Sequence, residues 1–368
     1  MVGHEHRWAA LARAHGRGIV PQTLLLYGPA QVGKFTLALR YAKLLLCPQP
    51  AMDAQGLPAP CNQCRTCHQV ETETFPDFRV FRPLVSPEKD EKNWVIAPDH
   101  LEGSVITVEM ARRFSHEAIS RPFVGTRRVL VLNQADRMTI EAQNALLKTF
   151  EEPGRSLTIL LLADNPSVLL ATVRSRSWQI PLGIAPDGAI AQWLGSTHPS
   201  ASATAIGEAV RVAAGLPGAA WRELQRLGTG DVQVNSRFAA AAAFIDRIAG
   251  FQAVGALALT EEAMRLARQW WAEDVRETSG PELKKADGKV TRSAVGRFLD
   301  QLATVYRARW AQGLSSGFLE NSDTAAMDAG PDALDLIRKT RHYILRNANA
   351  SLALDVLFGR LIALERSA

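Results

Sequence analysis

No stretch of this 368-residue chain stays apolar for the roughly 18–20 residues that a bilayer-crossing helix needs, so no membrane span is expected. The opening residues, Met1-Val2-Gly3-His4-Glu5-His6-Arg7, lack the apolar centre of a secretion signal, which points to the cytoplasm. Charge of one sign is not concentrated anywhere. The 42 Lys and Arg against 37 Asp and Glu leave a net +5 without a long basic run, a balance that permits nucleic-acid contact without indicating it. Internal repeats are absent, and cysteine is scarce: four residues, all between positions 47 and 67. What is present is globular in character, 47% hydrophobic and 21% charged, and the chain is too long for one core. Two or three domains are expected.

Residues 28–36 read Gly-Pro-Ala-Gln-Val-Gly-Lys-Phe-Thr. They follow an apolar run, Thr23 to Tyr27, that reads as a buried strand, and precede a helical pattern from Leu37 to Leu46. A strand, then G-x-x-x-x-G-K, then a helix is the setting of a phosphate loop, whose backbone N–H groups and lysine cradle an anion. The candidate cofactor-binding residues are Gly28, Gly33, Lys34 and Thr36. The metal-binding hydroxyl should follow the lysine, but Phe35 stands there and Thr36 comes one place late. A one-residue shift turns a helical side chain by about 100°. About 100 residues on, the strand Arg128 to Leu132 should end in the acid that completes a metal site; it ends in Asn133-Gln134. Amides bring no charge to a cation and take no proton from water. Asp136 is the remaining acid nearby. These losses predict a nucleotide-binding fold that does not run its chemistry, and leave ATP occupancy an open question.

Cys61, Cys64 and Cys67 form an interlocked C-x-x-C-x-x-C, with Cys47 near the end of the first helix of the nucleotide-binding region. Four thiolates at such spacing complete a closed tetrahedral site, so a structural Zn²⁺ is expected, with His68 a bystander. It would order the Pro- and Gly-containing segment 48–60.

Periodicity predicts an amphipathic helix over 1–20, strands near 75–82, 128–132, 157–162 and 178–180, and helices from Ile106 to Ser120 and from Ile140 to Phe150, the latter opened by Thr139. Alternating strands and helices imply a parallel sheet covered on both faces. Ser86 to Gly103 and the basic stretch Lys284 to Arg292 read as loops, and Gly215-Leu216-Pro217-Gly218 as a turn within a small helical segment. Helices are expected at 238–249, 256–273, 294–312 and 332–366, with Trp270, Trp271 and Trp310 in the helical packing.

The run Gln143-Asn144-Ala145-Leu146-Leu147-Lys148-Thr149-Phe150-Glu151-Glu152-Pro153 closely resembles the N-A-L-L-K-x-x-E-E-P signature of bacterial clamp-loader subunits. Arg174-Ser175-Arg176-Ser177 is similar to their serine-arginine-cysteine motif, with Ser177 for the cysteine. Asn347-Ala348-Asn349-Ala350-Ser351-Leu352-Ala353-Leu354-Asp355 resembles the end of the delta-prime subunits of DNA polymerase III clamp loaders. The likeness is good over about 20–180 and looser beyond.

That resemblance implies an α/β AAA+ (P-loop) domain over 1–183 with the inserted four-cysteine zinc module at 47–67. A small helical lid over 184–230 and an all-α collar over 231–368 would follow. It implies a non-hydrolysing, or nearly non-hydrolysing, subunit that helps load the sliding clamp on primer-template DNA. Arg176 would act in trans as an arginine finger on a neighbour's ATP, with Arg174 in reserve: in an extended segment, side chains two apart share a face. The implied partners are the motor subunits, the delta subunit, the sliding clamp and DNA. Gly218 stands where motor subunits carry a lid arginine, a third departure from the active pattern. The alternatives are an active motor ATPase of the same fold and a zinc-dependent nucleic-acid-binding module. Arg176 paired with Glu151 or Glu152 is the plainer reading of that residue.

Overall fold

Strands made almost wholly of Leu, Val and Ile belong at the centre of a sheet buried on both sides, and that is where they lie. A computed structural model describes residues 2–85, 95–96, 105–228, 236–250, 256–278, 287–315, 324–345 and 348–367. The first part runs α1 (Glu5–Gly16), β1 (Thr23–Tyr27), α2 (Lys34–Leu46), β2 (Ala51–Met52), β3 (Pro58–Ala59), α3 (Arg65–Glu71), β4 (Phe78–Phe81), β5 (Leu84–Val85) and β6 (Val95–Ile96). It continues with α4 (Val108–Ile119), β7 (Arg128–Leu132), α5 (Ile140–Glu151), β8 (Leu157–Ala163), α6 (Ala171–Ser175) and β9 (Trp178–Pro181). Five strands form one parallel sheet in the order β4-β7-β8-β1-β9.

The period of two along each strand divides the core. Leu24, Leu26, Val129, Val131, Leu160 and Leu162 face Trp8 and Leu11 of α1 and Leu37 and Tyr41 of α2. Leu25, Leu130, Leu132, Ile159 and Leu161 face Met110 and Phe114 of α4 and Leu146 and Phe150 of α5. Thr107 and Thr139 cap these last two helices, their hydroxyls accepting from the Met110 and Ala142 N–H groups.

A small helical unit follows: α7 (Asp187–Thr197), α8 (Ala203–Ala213) and α9 (Pro217–Gly228), packed through Ile190, Leu194, Ala209, Val210, Ala213, Ala220 and Leu224. The expected turn at 215–218 is only half a turn. Gly215 (φ +81°) ends α8, and a Cβ there would meet Ile184 Cβ at 2.8 Å. Pro217 and Gly218, however, open α9, which suits a proline whose missing N–H would have no helical partner.

The last part is helical: α10 (Ser236–Gly250), α11 (Ala256–Thr278), α12 (Asp287–Ser315), α13 (Thr324–Leu345) and α14 (Ala350–Ser367). Phe244 packs edge-on against Phe298 (5.2 Å between centroids) and at a tilt against Phe358 (5.3 Å), with Trp270 and Trp271 buried in the same core. Three expectations need correction. The helix expected over 332–366 is two helices, because the Asn349 side chain accepts from Leu352 N–H and starts α14 anew. From Asp287 onward the expected basic loop is the first turns of α12, while Lys284 and Lys285 lie outside the described residues. Most of the expected loop 86–103 also lies outside them, although Val95–Ile96 pairs antiparallel with Leu84–Val85. Trp310 falls within α12, its side chain outside the description.

Candidate functional site

β1 runs into the phosphate-loop sequence at the C-terminal edge of the sheet, between β8 and β9. Gly28 has φ +152°, and a Cβ there would stand 2.0 Å from the Leu182 carbonyl oxygen, so β9 approaches too closely for any side chain. Gln31 (φ +65°) and Gly33 (φ +103°) are left-handed, and α2 starts at Lys34, three residues earlier than the apolar period indicates. Lys34 is 8% exposed. Its ammonium donates to the carbonyls of Gly28 and Pro29, both at 2.8 Å, and pairs with Asp164 Oδ1 at 2.6 Å.

Two other segments hold the loop. The buried His4 ring lies with Nε2 2.9 Å from Val32 O, and burial lowers its pKa, so the neutral ring donates through Nε2–H. Gly218 N–H, opening α9, donates to Gln31 O at 3.0 Å, and a Cβ on Gly218 would lie 3.0 Å from that oxygen and 3.1 Å from Gln31 Cβ.

Phe35 is half-buried against the apolar cluster of α1, α2 and the sheet, with the Arg82 guanidinium 5.5 Å from its ring, while Thr36 is exposed on α2. After β7, Asn133 is half-buried and Gln134 buried in a left-handed turn (φ +55°), its carbonyl accepting from Arg137 N–H. Asp136 is engaged elsewhere: its two oxygens accept from the N–H groups of Asp164 and Asn165, each at 3.3 Å. Burial, and then the Asp164 carboxylate, push the Asp136 carboxyl above the ordinary range. Neither His4 nor Asp164 belongs to a recognisable sequence motif. For Asp164 a signal existed, an acid directly after the last residue of a central strand, where α/β sheets gather ligand-facing groups.

The cysteines converge. Cys47 caps the C-terminus of α2, Cys61 follows the β2–β3 hairpin, and Cys64 caps α3, which contains Cys67. Their four sulfurs lie within 4.8 Å of one another, with Cys47–Cys61 at 3.5 Å, Cys47–Cys64 at 4.0 Å and Cys61–Cys67 at 3.9 Å. Metal–sulfur bonds of about 2.3 Å in a tetrahedron place sulfurs about 3.8 Å apart, so this set could hold a metal ion. Backbone N–H groups of Gln63 and Cys64 draw the Cys61 thiol down to about 6, while burial raises Cys47 and Cys67. His68 is exposed on α3 and outside the set.

Arg176 is the C-cap of α6, so its segment is helical rather than extended, and the shared-face argument for Arg174 does not apply. Arg176 pairs with Glu151 at 2.9 Å and donates from Nη1 to Thr172 O at 3.2 Å. Both ion-pair partners are more than a third exposed, so the pair holds the guanidinium weakly and leaves it free to turn outward. It borders a cleft of about 330 Å³ with Gln22, Thr23, Phe150, Pro153 and Trp178.

Residues 3–184 match the profile of the family described as "DNA polymerase III, delta subunit". The delta' subunit of DNA polymerase III from Pseudomonas aeruginosa is 34% identical over 210 residues, 57% of this chain and 57% of that protein. The delta' subunit from Escherichia coli is 31% identical over 205 residues, 56% of this chain and 54% of that protein. The tau/gamma subunit from Haemophilus influenzae is 29% identical over 195 residues, 53% of this chain and 25% of that protein. The chain spans about half the length of the curated delta' relatives it matches.

Proposed function

Because residues 3–184 belong to the family of DNA polymerase III delta' subunits, we propose that the chain is a clamp-loader subunit that hydrolyses no ATP itself. It helps load the sliding clamp on primer-template DNA and offers Arg176 to the nucleotide of a neighbouring ATPase subunit. Its partners are the motor subunits and the delta subunit. Residues 1–183 carry the AAA+ unit, 184–230 its lid and 231–368 the collar that joins the ring.

The observation that carries this reading is the fate of the three groups that hydrolysis needs. The position after Lys34 is an apolar side chain packed against the core cluster, the pair after β7 is uncharged, and the acid nearest that pair in sequence, Asp136, accepts from backbone N–H groups. Arg176, by contrast, stands at an exposed helix end, held by an exposed ion pair with Glu151 and a hydrogen bond to Thr172 O, where a guanidinium can meet charge developing on a transferred phosphoryl group. Cys47, Cys61, Cys64 and Cys67 hold Zn²⁺, which crosslinks the end of α2 to the β2–β3 hairpin and α3. With four thiolates the ion has no open position, so its part is structural.

The test is ATP turnover by a reconstituted loader containing this subunit or its Arg176→Ala variant, beside turnover by the isolated chain. The expected result is an inactive isolated chain and a complex that assembles normally but turns over at least about tenfold more slowly with Arg176→Ala. Turnover by the isolated chain would make it a motor. An unaffected complex would reduce Arg176 to a structural residue held by Glu151 and Thr172.

A further inference from the structure

Lys34 retains the position and burial of a phosphate-binding lysine, yet its charge is already met. Two of its contacts, to the carbonyls of Gly28 and Pro29, fold the ammonium back over its own loop. The third is a full negative charge, the Asp164 carboxylate at 2.6 Å. Asp164 directly follows β8, the neighbour of β1, so the sheet register itself carries its backbone to the loop: Tyr27 stands opposite Ala163. Asp136 then fixes that turn through the N–H groups of Asp164 and Asn165.

We propose that Asp164 determines what the phosphate loop accepts: its carboxylate serves as the loop's own counter-anion and shuts out phosphoryl anions. The inference rests on residues 28–34 being a phosphate loop, and goes beyond the absence of hydrolysis by naming the group that blocks binding. An incoming polyphosphate must either displace Asp164 from Lys34 or place its oxygens beside a carboxylate in a poorly solvated site, and like charges at such separations repel strongly. The Asp164 side chain is 32% exposed, so it has room to swing away, and the block is a competition rather than a wall. His4 and Gly218, holding Val32 and Gln31, keep the loop in the shape that Lys34 and Asp164 share.

The test measures binding of tripolyphosphate, ATP and adenosine to the full chain by titration calorimetry, for the wild type, Asp164→Asn, and Asp164→Asn with Lys34→Ala. The asparagine keeps the size of the aspartate and removes its charge. Expected is a gain of at least about tenfold in affinity for both tripolyphosphate and ATP in Asp164→Asn, none for adenosine, and loss of the gain in the double variant. A gain cannot come from structural damage, which separates this role from a merely structural one. Equal affinities in wild type and Asp164→Asn would overturn the proposal, as would a gain that survives Lys34→Ala. A gain for ATP without one for tripolyphosphate would overturn it too, because the base and ribose would then be carrying the binding. If Asp164→Asn melts too early to titrate, Asp164→Ser is read by the same criteria. None of these outcomes bears on Arg176, whose test is turnover by the complex.

Discussion

Asp77 offers the sharpest stability test in the α/β part of the chain. It has no exposed surface, and it stands just before β4 with its carboxylate beneath the loop that joins α4 to β7. One oxygen accepts from Phe123 N–H at 2.5 Å, and the other from Val124 N–H at 2.8 Å and Gly125 N–H at 2.9 Å. The loop thereby holds Phe123 (84% exposed) and Val124 (67% exposed) outward on a fixed backbone. Hydrogen bonds to a charged acceptor contribute about 1.5–3 kcal/mol each, and a loop at the surface regains part of that from water, so Asp77→Ala should cost on the order of 3 kcal/mol. Urea denaturation measures the loss, and amide exchange at residues 123–125 locates it. Burial alone would raise the Asp77 carboxyl, but its three N–H donors outweigh burial and hold it below the model-peptide value of 3.8. A depressed folded pKa means that this stabilisation is complete above the unfolded pKa and fades as pH falls through the lower, folded one. The wild type should therefore lose stability more steeply than Asp77→Ala below about pH 4. A cost under about 0.5 kcal/mol with unchanged amide protection would refute this account of the loop.

Two further outcomes follow from the site. Gly218→Ala should destabilise the chain by about 1 kcal/mol in a thermal melt, because the new methyl presses on the Gln31 backbone at 3.0 Å, and such overpacking outweighs the roughly 1 kcal/mol of helix propensity gained; a stabilised variant would show that α9 does not bear on the phosphate loop. Cys67→Ser, or prolonged chelation, should release one zinc ion per chain by metal analysis and remove amide protection from residues 61–71; unchanged protection after loss of the metal would end its structural role.

The sheet was largely legible because continuous apolar runs have one solution. β7 spans the expected residues, and β8 and β9 each extend one residue further. Parallel pairing also followed from alternation of strands and helices. Helix ends were less legible where a side chain far from the periodic pattern decided them. Asn349 restarts the last helix by a single hydrogen bond, and Gly33 advances α2 by three residues through a left-handed backbone that apolar spacing does not encode. The cysteine cluster was legible in part from spacing, since two-residue gaps hold Cys61, Cys64 and Cys67 close together, while Cys47, 14 residues before Cys61, reaches them from the end of α2. The partners of Lys34 could not. Asp164 is 130 positions away and meets it only because β8 lies beside β1, a tertiary fact.

That same geometry changes what the retained motif means. Gly28 is required by the Leu182 carbonyl, which leaves no room for a Cβ, and Gly33 by a left-handed backbone at the entry to α2. Lys34 closes the loop over two of its own carbonyls and ties it to the next strand through Asp164. Each of the three positions that make the sequence look like a phosphate loop therefore has a structural duty toward β8, β9 or α2. The positions that only chemistry requires are the ones that differ: Phe35, Asn133 and Gln134. A fold that needs the loop's shape but not its reaction would keep the first set and release the second, and this is the division between the two sets in this chain.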